Sequence, residues 1–271
     1  MYSAALVSWE TGRLSMAQEK EKPQALKTQK TDWEFKGTAV APKTGLVIVY
    51  DLENFTSFLE TPDIQRAALK YLNHIDENVC GAIYGGGEPF YDWGEDAALT
   101  EHVIDPIHRK FLGDGAMMIF DLTNVATAKY QSILHNLINR AWNVKTNFGK
   151  LNDLAREFMP TAKMPPRIRI GITFGTMYEL TQANGENEYL GIPINMAARL
   201  QKYSGKTAFL VSARVDLPPK WFEEQKYIKV RPLKLRNGKN EYLYIDHKDL
   251  KAAKKGLFEI VPRLLLPGES A

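Results

Sequence analysis

Residues 45–50, GLVIVY, form an almost continuous apolar run that ends directly on Asp51. Val47, Ile48 and Val49 are β-branched, and an unbroken apolar stretch of this length reads as a strand covered on both faces, placed inside a sheet rather than at its edge. A second apolar run, AMMIF at 116–120, lies just beyond Gly113-Asp114-Gly115. Two strands that each carry an aspartate at one end can bring both carboxylates to a single divalent-cation site.

The rest of the pattern alternates in type. From about Asn54 to Cys80 the apolar positions take helical spacing, with Pro62 able to break or restart the helix. Residues 81–108 hold Gly85-Gly86-Gly87, Pro89 and many acidic side chains, and read as a long excursion between elements. Its Phe90, Tyr91 and Trp93 fit a packed insertion better than a cover for a cleft. Residues 109–112 and 116–120 form a predicted hairpin with Asp114 at its turn, and 125–157 a long helix ended by Pro160, Pro165 and Pro166. Then come a strand at 167–173, a turn at Gly175, an arm at 176–180, a turn at Asn184-Gly185 and a helix from near Pro193. A strand at 208–212 and a hairpin of 228–231 with 242–245, turning near Asn237-Gly238, complete the series. The expected domain covers 41–250 and belongs to the α+β class, an α/β-type sandwich with a mixed sheet, flanked by extensions at 1–40 and 251–271. The apolar stretch 255–268 is expected to fold against the core or a partner, because a free apolar tail invites aggregation.

Composition narrows the functional classes. With 271 residues, 44% of them hydrophobic, the chain can bury one full core. Thirty-five basic against 32 acidic residues leave a charge of only +3 with no long basic tract, which argues against nucleic-acid binding but not against a nucleotide substrate. Cys80 is alone, so a disulfide framework and a cysteine-rich zinc site are excluded and a reducing cytoplasm is expected. The polar opening does not read as a signal peptide, and no stretch is long and apolar enough for direct membrane insertion.

Four strings in order, DLENFTSF at 51–58, KFLGDG at 110–115, RIRIGITFG at 167–175 and YLGIPINMAARLQ at 189–201, resemble the catalytic domain of the class III nucleotidyl cyclases. The resemblance implies a ferredoxin-like fold with a largely antiparallel central sheet and flanking helices. It also implies that Asp51 and Asp114 hold two divalent cations, Mg2+ or Mn2+. One would help deprotonate a ribose 3′-hydroxyl and the other would hold the β and γ phosphates. The backbone at 52–56, including Phe55 and Thr56, would cradle phosphate, and Asn54 stands where the family usually has glycine. Asn195 and Arg199, four apart on one helix face, would orient the ribose and stabilise charge at the α phosphate. Lys239 resembles a later phosphate-binding lysine, with Arg236 and Lys234 as alternatives. In the family, metals and ribose groups come from different protomers, so a homodimer with two composite sites is expected.

Lys110 and Glu188 match the positions that read the nucleobase. Chemistry alone leaves that base open. A lysine donor and a carboxylate acceptor suit the ring acceptor and amino group of adenine or cytosine, the carbonyl and ring N-H of uracil, and in principle guanine. Tyr50, beside Asp51, is a further candidate base contact. A freestanding domain with divergent base-reading residues resembles the small bacterial pyrimidine cyclases of Pycsar antiphage defence. Within that likeness UTP is the favoured substrate, and its cyclic product would activate a separate effector. CTP or ATP cyclisation, and nucleotide binding without turnover, are the alternatives.

Overall fold

The run at 45–50 becomes an inner strand. In a computed structural model, which describes residues 33–34, 41–61, 64–85, 102–160, 162–182, 184–203, 207–235 and 241–262, a short β1 (Trp33–Glu34) precedes β2 (Lys43–Leu52). Then come α1 (Phe55–Leu59), α2 (Ile64–Tyr84), β3 (His108–Phe111), β4 (Gly115–Asp121) and α3 (Thr127–Ala155). The next group is β5 (Ile168–Gln182), β6 (Asn187–Leu190), α4 (Ile192–Tyr203) and β7 (Phe209–Ser212). Last are α5 (Pro219–Glu224), β8 (Tyr227–Pro232), β9 (Leu243–Asp246), α6 (His247–Ala252) and β10 (Phe258–Ile260). The sheet order is β10-β8-β9-β7-β5-β2-β4-β3, with β1 and β6 added to the far end of β5. Only β5 and β7 run parallel among these pairings, so the fold is α+β with a mixed, largely antiparallel sheet.

Strand alternation sorts β2 into two working faces. Leu46, Ile48, Tyr50 and Leu52 enter the main core with α2 and α3, while Val47 and Val49 face the other way, toward Met117, Ile119 and Ala197 of α4. Asp51 follows Val47 and Val49 in phase and so lies on the α4 side. Burial of β2 on both sides is the reason its sequence is apolar throughout.

Three local expectations change. The helix predicted from Asn54 is interrupted between Leu59 and Ile64, a break the sequence allowed for, but its second part runs on past Cys80 to Tyr84, which shortens the excursion that follows. Gly175 is not a turn. β5 continues through it for 15 residues, with Gly175 at φ 155, and a Cβ there would stand 2.9 Å from the Pro193 ring. Glycine thus lets one strand serve both the main sheet and the outlying ribbon it forms with β6. The short α5, α6 and β10 were not expected, because six-residue helices and a three-residue strand carry too little periodicity. α6 has a readable start: Asp246 accepts from the Lys248 amide at 2.7 Å as an N-cap.

Within 255–268, Phe258–Ile260 pairs with β8 as an edge strand, so the sheet reaches past residue 250. Residues 1–32, 35–40, 86–101, 236–240 and 263–271 lie outside the described residues, and with them Phe90, Tyr91, Trp93, Arg236, Lys239 and the Asn237-Gly238 turn.

Candidate active site

The end of β2 is fixed from two sides. Cross-strand register sets Asp51 opposite Gly115 on β4 and Arg169 on β5. Past the strand, the Leu52 amide donates to the Asp114 carbonyl at 3.0 Å and the Glu53 amide to the Arg167 carbonyl at 2.9 Å. Asp51 and Asp114 are thereby neighbours, as the sequence implied. Burial, and then the Asp51 charge, push the Asp114 carboxyl above the usual range, against the opposing pull of Arg169 and Lys202.

Arg169 was not among the expected site residues. Its Nε donates to Asp51 Oδ1 at 2.7 Å and its Nη2 to Oδ2 at 2.5 Å, a two-pronged pair that spans the carboxylate. Burial draws the guanidinium down, but the Asp51 hydrogen bonds and the charges of Asp51, Glu53 and Asp114 outweigh it and leave its pKa raised. The signal was present in RIRIGI, where a charged residue interrupts alternating isoleucines at the phase opposite to the buried set.

Asn54, the residue that replaces glycine, adopts φ 60 and ψ 27. Asparagine is among the side chains that tolerate this left-handed conformation, so Asn54 can hold a backbone position that glycine would also accept. The Phe55 side chain is buried against Phe58, with ring centroids 5.4 Å apart, so only its backbone is placed to meet a ligand. Thr56 is exposed on the first turn of α1.

A second polar group forms on the same side of the sheet. Lys110 on β3 pairs in register with Met117, and His108 with Ile119, both on the α4 side. The β5–β6 ribbon reaches this edge because Met177 and Tyr189 pack on Val47 and Ile119. Lys43 pins it further, with Nζ 3.3 Å from Asp121 and 3.4 Å from Glu179. Glu188 is thereby delivered to Lys110, with which it forms an ion pair. Its Oε1 also accepts from Gln182 Nε2 at 3.5 Å, while Oε2 lies 3.5 Å from His108 Nε2, a buried nitrogen that makes no hydrogen bond. Burial lowers the His108 pKa more than the Glu188 charge raises it. Residues 78 positions apart in sequence are thereby brought together as a donor and an acceptor that pair with each other.

Tyr50 is a correction. It is 1% exposed, on the opposite face from Asp51, and its hydroxyl donates to Asp76 Oδ1 at 2.7 Å. Arg109 closes on the same carboxylate. Period-two alternation already separates adjacent strand residues, so Tyr50 and Asp51 could not both face one site. Tyr50→Phe should lower stability by about 1–2 kcal/mol through the lost hydrogen bond, measured by denaturant unfolding, with base preference unchanged. A shifted base preference would place the phenol at the substrate instead.

α4 carries Asn195 and Arg199. Its buried side is Pro193, Met196, Ala197, Leu200 and Gln201. Asn195 is exposed and Arg199 half-buried, and helical spacing sets both on the side away from the sheet. Within one chain they therefore point away from the sheet face that bears Asp51. Lys234 is exposed, its amide donating to the Tyr203 hydroxyl at 3.2 Å.

The donor set fits small divalent cations. Asp51 and Asp114 offer hard carboxylate oxygens of the kind such cations take, with both Asp51 oxygens also accepting from Arg169.

No protein-family model and no curated protein matches the chain. Among solved structures, it is similar to the adenylyl cyclase CyaB from P. aeruginosa, at 17% identity and a TM-score of 0.48 over 80% of this chain and 98% of that one. It is also similar to the guanylate cyclase domain of RhGC from Catenaria anguillulae in complex with GTP, at 16% identity and a TM-score of 0.40 over 76% and 98%. A class III adenylyl cyclase-like ATP-binding protein from Pseudomonas aeruginosa gives 16% identity and a TM-score of 0.38 over 59% of this chain and 31% of that one. Among the described residues no helix is long and apolar enough to cross a membrane.

Proposed function

We propose that the chain is a metal-dependent nucleotidyl cyclase that acts as a homodimer with composite sites. The observation that carries this reading is the meeting of Asp51 and Asp114 at the end of β2, on the same sheet face as the Lys110–Glu188 pair. Divalent cations held by the two aspartates would supply charge neutralisation at the triphosphate and acidify the ribose 3′-hydroxyl. The chain's own groups do the rest. Lys110 donates to a base acceptor and Glu188 accepts from a base N-H, which orients the nucleoside, while Asn195 fixes the ribose and Arg199 offsets charge at the α phosphate.

Dimerisation follows from direction. Asn195 and Arg199 leave α4 on the side away from the sheet, so a second copy is the economical source of the aspartates they would serve. An apolar edge supports such a contact: Tyr178 and Leu190 are cross-strand partners, 51% and 39% exposed, and Ile192, 63% exposed, shares the Asn195 side of α4.

For the substrate we favour UTP, converted to 3′,5′-cyclic UMP and diphosphate for a separate effector in antiviral defence. The support is the resemblance of a freestanding domain with divergent base-reading and phosphate-loop residues to the small bacterial pyrimidine cyclases, and UTP is favoured because uridylate cyclases are common in that group. Lys110 and Glu188 also suit cytosine and adenine, so CTP or ATP is the second reading. The deciding experiment incubates purified protein with ATP, GTP, CTP and UTP separately in Mn2+ and identifies each product by mass. Dominant cUMP is expected. Dominant cAMP overturns the base, and absence of product from every nucleotide overturns the enzyme.

A further inference from the structure

His108 stands beside the Lys110–Glu188 pair with a polar atom unused. It lies two residues before Lys110 on β3 and on the same face, since the two pair in register with Ile119 and Met117. Its Nε2 is buried, makes no hydrogen bond and lies 3.5 Å from Glu188 Oε2. Lys110 and Gln182 engage the other oxygen, Oε1. The carboxylate thus sits between two nitrogens, one from Lys110 and one from His108. A buried ring nitrogen without a partner is costly, and beside a candidate ligand site it calls for a ligand atom to meet it. The Glu188 charge also fixes what that nitrogen can offer. An ionised carboxylate only accepts, so a bare lone pair on Nε2 would be repelled by Oε2, and the proton of the neutral ring belongs on Nε2. Burial favours the neutral ring, and a protonated ring would carry the same N-H, so His108 is a donor in either state.

We propose that His108 is a third base-reading residue, and that Lys110, Glu188 and His108 together present donor, acceptor and donor to the pairing edge of uracil. The proposal rests on the base-reading role given to Lys110 and Glu188. Uracil shows carbonyl, N-H and carbonyl along that edge, the complement of this set at all three positions. Its two carbonyls flank the N-H on either side, so either one can face either donor. Position for position, cytosine carries an amino group and a bare ring nitrogen in place of one carbonyl and the N-H. Adenine carries the same two and a C-H in place of the second carbonyl, while guanine carries an amino group in place of one carbonyl. Each of these leaves at least one protein group opposed or unmet along that edge, and a polar group left unpaired in a closed site weighs heavily against the wrong base. Lys110 and Glu188 alone do not separate uracil from cytosine. The His108 donor does.

The test measures Kd by calorimetry and product formation in Mn2+ for the full chain with UTP, CTP, ATP and GTP, and adds 2-thio-UTP and 4-thio-UTP, whose sulfur accepts hydrogen bonds poorly. In the wild type either thio substitution should weaken binding and lower kcat/KM by about fivefold or more. His108→Phe keeps an aromatic ring against Tyr189, whose centroid lies 5.3 Å away, but removes the donor. It should lose about tenfold in preference for UTP over CTP, the size expected for one hydrogen bond to a buried carbonyl. One of the two thio substitutions should also cease to matter in that variant, which a packing role would not produce. His108→Gln returns an N-H donor and should recover most of the preference. If H108F does not fold, the thio analogues decide on the wild type alone, where sensitivity at only one carbonyl overturns the three-group match. An unchanged ratio of UTP to CTP in folded H108F overturns the role of His108 while cyclic product from the wild type leaves the cyclase reading standing. The expected pattern in Kd without turnover does the reverse, and a wild type that binds none of the nucleotides removes both.

Discussion

Asp51→Asn and Arg199→Ala proteins, purified separately, are each expected to lose nucleotide turnover by about a hundredfold or more. An equimolar mixture is expected to recover about a quarter of the wild-type rate per protomer, since half the dimers formed at random carry one intact site of two. The reasoning is directional. Asp51 lies on the α4 side of the sheet, fixed between Gly115 and Arg169, whereas Asn195 and Arg199 leave the far side of α4. An R199A protomer still offers Asp51 and Asp114, and a D51N protomer still offers Asn195 and Arg199, so a mixed dimer rebuilds one site. Asparagine at 51 keeps the shape of the side chain but leaves the Arg169 guanidinium without its counter-ion, so melting temperatures must accompany the rates. Native mass spectrometry that finds mixed dimers together with a dead mixture would sink the composite arrangement.

A large effect on stability is expected at Gly171. A Cβ at this position would stand 2.3 Å from the Ala197 carbonyl oxygen and 2.5 Å from the Gln201 amide nitrogen, both backbone atoms of α4. Neither can swing aside as a side chain tip would, so Gly171→Ala must lift the helix from β5. Overpacking of this kind costs about 1–3 kcal/mol, and contact with rigid backbone puts the cost at the upper end. At this chain length that is a fall in Tm on the order of 10 °C. Because α4 carries Asn195 and Arg199, turnover should fall beyond what the loss of folded protein explains. Gly149→Ala is the control. That glycine is exposed on α3 with open space where a Cβ would go, and alanine there should raise stability by about 0.5–1 kcal/mol. Equal melting temperatures for the Gly171→Ala and wild-type proteins would show that α4 does not rest on β5 as described.

Elements that depend on local pattern were legible before the fold was known. The apolar stretch of β2, the long amphipathic α3, the glycine-flanked turn at Asp114 and the onset of α4 near Pro193 all emerge from spacing and turn chemistry. The two aspartates were legible for the same reason, since each sits at the end of a strand that announces itself. Tyr50 shows a local rule left unused: alternation alone sets it on the other face from Asp51, and the structure seals it there with Asp76. Arg169 was visible as a charge inside an apolar strand but carried no indication of its partner, because Asp51 lies 118 positions earlier.

The sequence by itself therefore determined the central strands, the main helices and the kinds of chemical group the chain brings to its site, because each of these follows from residues within a few positions of one another. Only the tertiary structure decided that β5 runs unbroken through Gly175 into a ribbon, that the ribbon folds back to set Glu188 against Lys110, and that Arg169 holds the carboxylate the sequence had assigned to a cation. Those outcomes depend on register between strands far apart in the chain, which is set by packing on both faces of β2 and leaves no periodic trace in the residues that are paired.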